Sequence, residues 1–317
     1  MDKPLTTKVR KVVVDENRDG QRIDNFLMAQ YRSIPKTHIY KILRKGEVRV
    51  NSKRIKPDYR LQAGDEVRLP PLRAPEQQAK HPSDTVKQMI EKSILFEDDN
   101  LMIINKPANI AVHGGTTISA GVIDALRVLR PKQKFLELAH RLDKATSGCL
   151  IIAKKRAVLV ELHDLFKQNK ITKIYRLLTK GHWSSGELFV DVPLIKHHLT
   201  SGERVVRVSK EGKPSKTQFK VLQVFHDATL LEAKLLTGRT HQIRVHAVHC
   251  GYPIAGDAKY GDEQFNQKMK EKLSLHRLFL HAYHLEFYLS SVEKKISVTA
   301  PLDAALLNCL KRLEKVS

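Results

Sequence analysis

The residues best suited to chemistry lie in one nine-residue string, His140-Arg141-Leu142-Asp143-Lys144-Ala145-Thr146-Ser147-Gly148, which feeds the apolar run Cys149–Ala153. Asp143 stands between two cations, in a loop that leads into a buried strand, and such a carboxylate can act as a nucleophile or a base. Other chemistries find no support in the spacing. The chain has no Gly-x-Gly-x-x-Gly and no Walker loop, so a tightly held nucleotide is not expected. Ser147-Gly148 lies outside any Gly-x-Ser-x-Gly elbow. His-Arg-x-Asp also occurs in protein kinases, but the glycine-rich loop and Asp-Phe-Gly segment that kinases need are missing. His241, His246, His249 and Cys250 match no metal-ligand spacing and have no acidic residue among them. No cofactor and no metal are expected.

The elements that must hold Asp143 belong to a chain of 317 residues, long enough for one large core and a smaller module. Net charge is +22, from 56 basic and 34 acidic residues. Positions 1–92 hold 21 basic and 12 acidic residues, which leaves 35 and 22 for the remainder, so both regions carry the excess. A positive field over the whole chain suits a polyanion, either nucleic acid or an anionic membrane surface. No apolar run approaches the ~20 residues that span a bilayer, and the first eight residues lack the apolar stretch of a signal peptide. Cys149, Cys250 and Cys309 are widely separated and form no disulfide framework, which fits a reducing cytoplasm.

From Gly20 to about Pro71 the pattern predicts a small α/β unit. Ile23, Phe26 and Leu27 sit at helical spacing. Pro35 opens a second helix with Ile39, Ile42 and Leu43 inside and Lys36, Lys41, Arg44 and Lys45 outside. Gly46 ends it, Val48 and Val50 alternate with Arg49, and a further strand surrounds Val67 and Leu69. Nine basic and two acidic residues lie between Lys36 and Arg60, Lys53 and Arg54 among them, so phosphate contact is expected. Residues 72–85 carry two prolines and no periodicity. The expected division is an N-terminal segment 1–19, a module 20–80, a linker 81–92 (with a helix near Thr85–Lys92) and a larger domain 93–317. Beyond it, short β-branched runs alternate with helices such as Arg156–Gln168, and their connections favour α+β over a doubly wound sheet.

Two resemblances sharpen this reading. Arg22-Ile23-Asp24, Arg44-Lys45-Gly46, Val48-Arg49-Val50-Asn51 and Ala63-Gly64-Asp65 resemble the S4 RNA-binding module. The string around Asp143 is similar to the signature of the pseudouridine synthase family that includes the large-subunit rRNA enzymes. That family's other segments stand in order: Asn105-Lys106-Pro107 and Val112-His113-Gly114-Gly115, Lys173-Ile174-Tyr175, Gly238 to His246, Gly256-Asp257-x-x-Tyr260-Gly261 and Phe279 to Ala282. The stretch Ser201 to Ser209 belongs to the same resemblance.

The resemblance implies an α+β protein, with an S4 module and a catalytic domain built on a mixed, largely antiparallel sheet flanked by helices. It implies isomerisation of uridine to pseudouridine, without cofactor, in 23S rRNA or a large-subunit precursor. The implied enzyme is a cytoplasmic monomer. In the implied site Asp143 is the nucleophile or assists a glycal-type route, and Arg141 fills the gap left by the flipped base. Tyr175 stacks on the extruded uracil and is a candidate for proton transfer, and Arg244 pairs with Asp143. Tyr175 also reads as core and Arg244 as a phosphate contact, while His140, His241 and His246 are expected to be structural or RNA-facing.

Overall fold

The structure is a computed structural model that describes residues 9–31, 34–72, 82–114, 120–184, 186–198 and 204–314. Gly115, Ser201 to Glu203 and most of the proline-bearing stretch lie outside the described residues. Two compact units result, Met1–Lys80 and His81–Ser317.

In the first unit, strand β1 (Arg10–Val13) precedes helices α1 (Ile23–Gln30) and α2 (Lys36–Lys45) and strands β2 (Arg49–Val50) and β3 (Glu66–Leu69). The strands form an antiparallel sheet in the order β1-β3-β2, so β1 of the N-terminal segment joins the module. Ile23, Phe26 and Leu27 of α1 and Ile39, Ile42 and Leu43 of α2 close over Val48, Val50, Val67 and Leu69. Buried Asp24 ties the helices together by accepting from Arg22 Nη2 (2.7 Å) and Tyr40 Oη (2.8 Å). Asp65 orders the basic loop by accepting from Asn51 Nδ2 (2.7 Å) and Tyr59 Oη (3.0 Å). Gly46 stops α2 in the left-handed region (φ 70°), where a side chain would meet Arg54.

The second unit opens with α3 (Asp84–Lys92), so most of the expected linker is a helix, capped by the Ser83 side chain and packed on α4. There follow β4 (Ile94–Glu97), β5 (Leu101–Lys106), α4 (Val122–Leu129), β6 (Glu137–Leu138), β7 (Ser147–Ala153), α5 (Arg156–Lys167), β8 (Thr172–Lys180) and β9 (Glu187–Asp191). A hairpin, β10 (Leu194–His198) and β11 (Arg204–Val208), precedes β12 (Lys216–Val224) and β13 (Ala228–Leu235). The chain finishes with α6 (Gln242–His249), α7 (Glu263–Leu273), β14 (Leu280–Leu289), β15 (Lys294–Thr299) and α8 (Ala304–Arg312).

Ten strands make one mixed sheet with the path β4-β5-β7-β14-β8-β13-β12-β9, β15 pairing with β14 and β6 with β7. Among the described residues β7–β14 is the one parallel pairing, and it lasts two residues. Gly148 permits it: at φ 108° its Cα lies so near Ala282 that a Cβ would sit 2.2 Å from the carbonyl oxygen. Every residue of β7 is buried, Cys149 and Ile151 facing the α5 side and Leu150 and Ile152 facing α3 and α4. The loop that carries Asp143 enters the sheet at the start of this central strand. The α+β architecture matches the expectation, and among the described residues no helix is long and apolar enough to cross a membrane.

Candidate active site

Three clamps fix the loop around Asp143. On its N-terminal side, His140 Nε2 accepts the Ile151 N–H (3.0 Å), and Leu142 is buried in the core. On its C-terminal side, Ser147 Oγ accepts from Arg277 Nη2 (2.6 Å) and contacts His281 Nδ1 (2.7 Å). His281 Nε2 lies 3.1 Å from the Ala300 carbonyl, so Nε2 holds the proton and Nδ1 accepts from the serine. From beneath, the fully buried Lys106 at the end of β5 donates to the carbonyls of Pro107 (2.8 Å), Ile110 (3.0 Å) and Lys144 (3.2 Å). Burial, reinforced by Arg277 and opposed by Asp143, pushes the Lys106 ammonium down to about 7. Asp143 is left one-third exposed (33%), with Arg141 exposed beside it.

The wall opposite Asp143 is α6. Buried Gln242 pins its first turn: Oε1 accepts from Thr237 Oγ1 (2.8 Å) and the Arg239 N–H (3.0 Å), and Nε2 donates to the Lys216 carbonyl and Thr217 Oγ1 (both 2.9 Å). Further along the helix, Arg244 is 8% exposed and grips Asp257 with a two-pronged contact, Nε and Nη2 each 2.7 Å from a different oxygen. Its remaining nitrogen, Nη1, lies 3.5 Å from Asp143 Oδ2. The expected Arg244–Asp143 contact is therefore present but long, and the tight partner is Asp257. Asp257 also accepts the N–H groups of Lys259 (2.9 Å) and Tyr260 (3.1 Å). Burial alone would raise its pKa, but Arg244 and these amides hold it below the ordinary carboxylate value.

Tyr175 lies on β8, opposite Ala233 on one neighbour and Ala282 on the other, so small residues flank its ring. It packs against the cores on both sides of the site, and its hydroxyl hydrogen-bonds to none of the described residues. Burial, then the charges of Asp143 and Cys149, raise the phenol pKa well above the ordinary value, so the hydroxyl keeps its proton. Asp143, Tyr175 and Arg244 thus surround one place. Lys36, Lys41, Arg44, Lys45, Arg49, Lys53 and Arg54 are all exposed in the first unit, where Lys53, Arg54 and Lys56 line an open groove of about 610 Å3.

Neither Asp257 nor Lys106 is among the site residues expected from the sequence, although both lie in motif strings. His241, expected to be structural or RNA-facing, has its Nε2 3.5 Å from Asp143 Oδ2. Among the described residues no three His, Cys, Asp or Glu side chains are grouped to hold a metal ion.

The buried histidines make stability pH-dependent. Burial foremost lowers His140 from 6.5 to about 3, and His246 and His281 to about 4. All three are neutral when folded, and their unfolded forms take up protons below pH 6.5. Their contribution is complete above that value and is lost as pH falls towards 4, by at most about 1.4 kcal/mol per histidine per pH unit. Urea midpoints should fall from pH 7 to pH 4.5 at constant slope; a flat series would contradict neutral burial.

Comparison with known proteins fits this geometry. Residues 100–249 match the family model described as RNA pseudouridylate synthase, and residues 21–67 match the S4 domain. The chain is 49% identical over 98% of its length, and 98% of the relative's, to ribosomal large subunit pseudouridine synthase C of Escherichia coli K12. The relative of the same name from Pasteurella multocida is 48% identical over 99% of this chain and 97% of its own. Among solved structures, human RNA pseudouridylate synthase domain containing 4 superposes with a TM-score of 0.61 at 27% identity, covering 76% of this chain and 99% of that one. A shared fold, near-complete coverage and a buried arginine wall facing an accessible aspartate lead to one assignment: the chain belongs to the RNA pseudouridylate synthase family.

Proposed function

We propose that the chain converts specific uridines of 23S rRNA, free or in a large-subunit precursor, to pseudouridine, with Asp143 as the reacting carboxylate. The observation that carries the reading is the asymmetry at Asp143. Both close groups, Arg244 Nη1 and His241 Nε2, lie against Oδ2, which leaves Oδ1 for the substrate. Isomerisation breaks the bond from uracil N1 to C1′, turns the ring and joins C5 to C1′. The C5 proton leaves and N1 gains one, so atoms and electrons balance without a cofactor. Oδ1 serves as nucleophile at C1′, or as base at C2′ in a glycal route; both routes use the same oxygen.

The base must leave its stack first. Exposed Arg141, two residues before Asp143, fills the gap, and Tyr175 stacks on the extruded ring and moves a proton. Arg244 holds the carboxylate, and buried Asp257 holds Arg244. The chain acts as a cytoplasmic monomer. Naked 23S rRNA incubated with the purified protein, without added cofactor, should gain pseudouridine by nucleoside chromatography; no gain on naked rRNA or on precursor particles would refute the reading.

The first unit supplies affinity. Every phosphate that the protein no longer neutralises should reduce the slope of log K against log salt by roughly 0.7–0.9. Removing residues 1–80 should weaken rRNA binding and flatten that slope, while measurable turnover persists at saturating RNA. Unchanged affinity and slope would point instead to a protein-docking role for this unit.

A further inference from the structure

A polar chain leads away from Asp143 through His241 to Tyr260. His241 Nδ1 lies 2.7 Å from Tyr260 Oη, and the same hydroxyl accepts the N–H of Val206, on β11, at 2.9 Å. The imidazole's other nitrogen, Nε2, lies 3.5 Å from Asp143 Oδ2. The position of the ring proton follows from both ends. A hydroxyl has a single hydrogen, and with its oxygen accepting from Val206 the acceptor offered by the described residues is His241 Nδ1. The reverse tautomer would turn the Nε2 lone pair towards a carboxylate oxygen, lone pair against negative charge. The hydrogen therefore sits on Nε2.

The backbone points the same way. His241 caps α6 but makes no side-chain cap, and it takes the left-handed conformation (φ 53°, ψ 19°) uncommon for a residue with a Cβ. Its ring caps none of the helix's amides and reaches towards Asp143 instead. Strain held at such a position is a mark of function rather than of helix building. The surroundings keep the ring neutral. Burial, Arg244 on α6 and Lys259 beyond it oppose protonation, while Asp143 and Asp257 favour it; the balance lowers the histidine pKa. Tyr260 is held in turn, its ring 4.9 Å beneath the Arg244 guanidinium.

We propose that His241 is a positioning residue of the reaction: it donates Nε2–H to Asp143 Oδ2, and Tyr260 fixes its tautomer. With Arg244 it presents two donors to one oxygen and so turns Oδ1 towards the nucleoside. The 3.5 Å separations seen without substrate shorten when RNA closes the site. This inference rests on Asp143 as the reacting carboxylate.

Two measurements test it. With ring-15N histidine, the free full-length enzyme should show His241 as the neutral Nε2–H tautomer at pH 7, and Tyr260→Phe should shift it towards a tautomer mixture. This spectrum does not depend on turnover. In single turnover at saturating rRNA, His241→Ala should slow pseudouridine formation about 10- to 100-fold with RNA affinity within about threefold of wild type. His241→Gln should recover most of that rate, because its amide N–H reaches the place of Nε2–H. An imidazolium or an Nδ1–H tautomer in the wild type would overturn the proposal. So would an alanine variant at full rate, one whose defect lies wholly in affinity, or a glutamine variant no better than alanine. If His241→Ala does not fold, the spectra of the wild type and Tyr260→Phe decide. If the wild type makes no pseudouridine, the assignment of Asp143 fails by itself, and the tautomer is still read.

Discussion

Replacing Asp143 by asparagine is expected to abolish product, lowering the single-turnover rate by at least about 10^4-fold, the scale seen when a reacting side chain is removed from an enzyme. The substitution keeps volume and planarity. It removes the charge that makes Oδ1 a nucleophile or a base, and the amide oxygen that replaces it is far less basic. Nothing in the fold depends on that charge. Asp143 is one-third exposed, and its side-chain contacts are 3.5 Å long, while the loop is fixed by His140, Lys106 and Ser147. The variant should therefore melt like the wild type and bind rRNA as tightly or slightly tighter, since an anion has left a site that meets phosphate. Turnover within about 10^2-fold of wild type would mean that another group does the chemistry.

The second large effect is expected at Asp257, which lies buried behind Arg244. Its side chain is 1% exposed and that of Arg244 8%, so the pair is a buried ion pair with two short contacts. Such pairs contribute little net stability against an apolar substitute, but removing one partner strands the other charge without water. Asp257→Asn should cost about 3–5 kcal/mol of folding stability. It should also release the arginine from the position that puts Nη1 beside Asp143. The folded carboxyl titrates below its unfolded value, so the pair's contribution is complete above the ordinary carboxylate pKa and is lost as pH falls through the lowered one. Arg244→Lys tests the same pair from the other side. An ammonium cannot bridge both Asp257 oxygens and reach Asp143 as well, so stability and turnover should both fall. Chemical denaturation together with single-turnover rates checks both variants. Wild-type stability in either would show that the pair is dispensable.

Much of this was legible in the residues. The first unit follows the helical spacing of Ile23, Phe26 and Leu27, the apolar face of Ile39, Ile42 and Leu43, and the glycine at 46, because its elements are amphipathic and have one wet face. Strands β7, β8, β12 and β13 likewise fall on the β-branched runs at 150–152, 174–178, 219–225 and 229–235. Helix α6 gave no such signal. Gln242, Ile243, Arg244, Val245, His246 and Ala247 are all buried, so polar and apolar residues share every face and no periodicity survives. The polar members are buried because they brace the site, and that function is what erases the helical pattern. Asp257 was hidden for a related reason. A Gly-Asp pair reads as a surface turn, and only the tertiary fold brings that turn onto an arginine 13 residues earlier. The helix expected near Thr85–Lys92 is α3; its polar start reads as a break in the sequence because Ser83 serves as its cap, while Ile90 is fully buried.

Whether this chain makes pseudouridine in large-subunit rRNA through Asp143 can be read from a single map. Pseudouridines of 23S rRNA would be located in the parent strain, in a strain lacking the chain, and in that strain supplied with wild type or Asp143→Asn. A defined set of sites should disappear with the chain, return with the wild type and stay absent with Asp143→Asn, although that variant accumulates folded and bound to rRNA. An unchanged map in the strain lacking the chain, or full restoration by Asp143→Asn, would contradict that expectation.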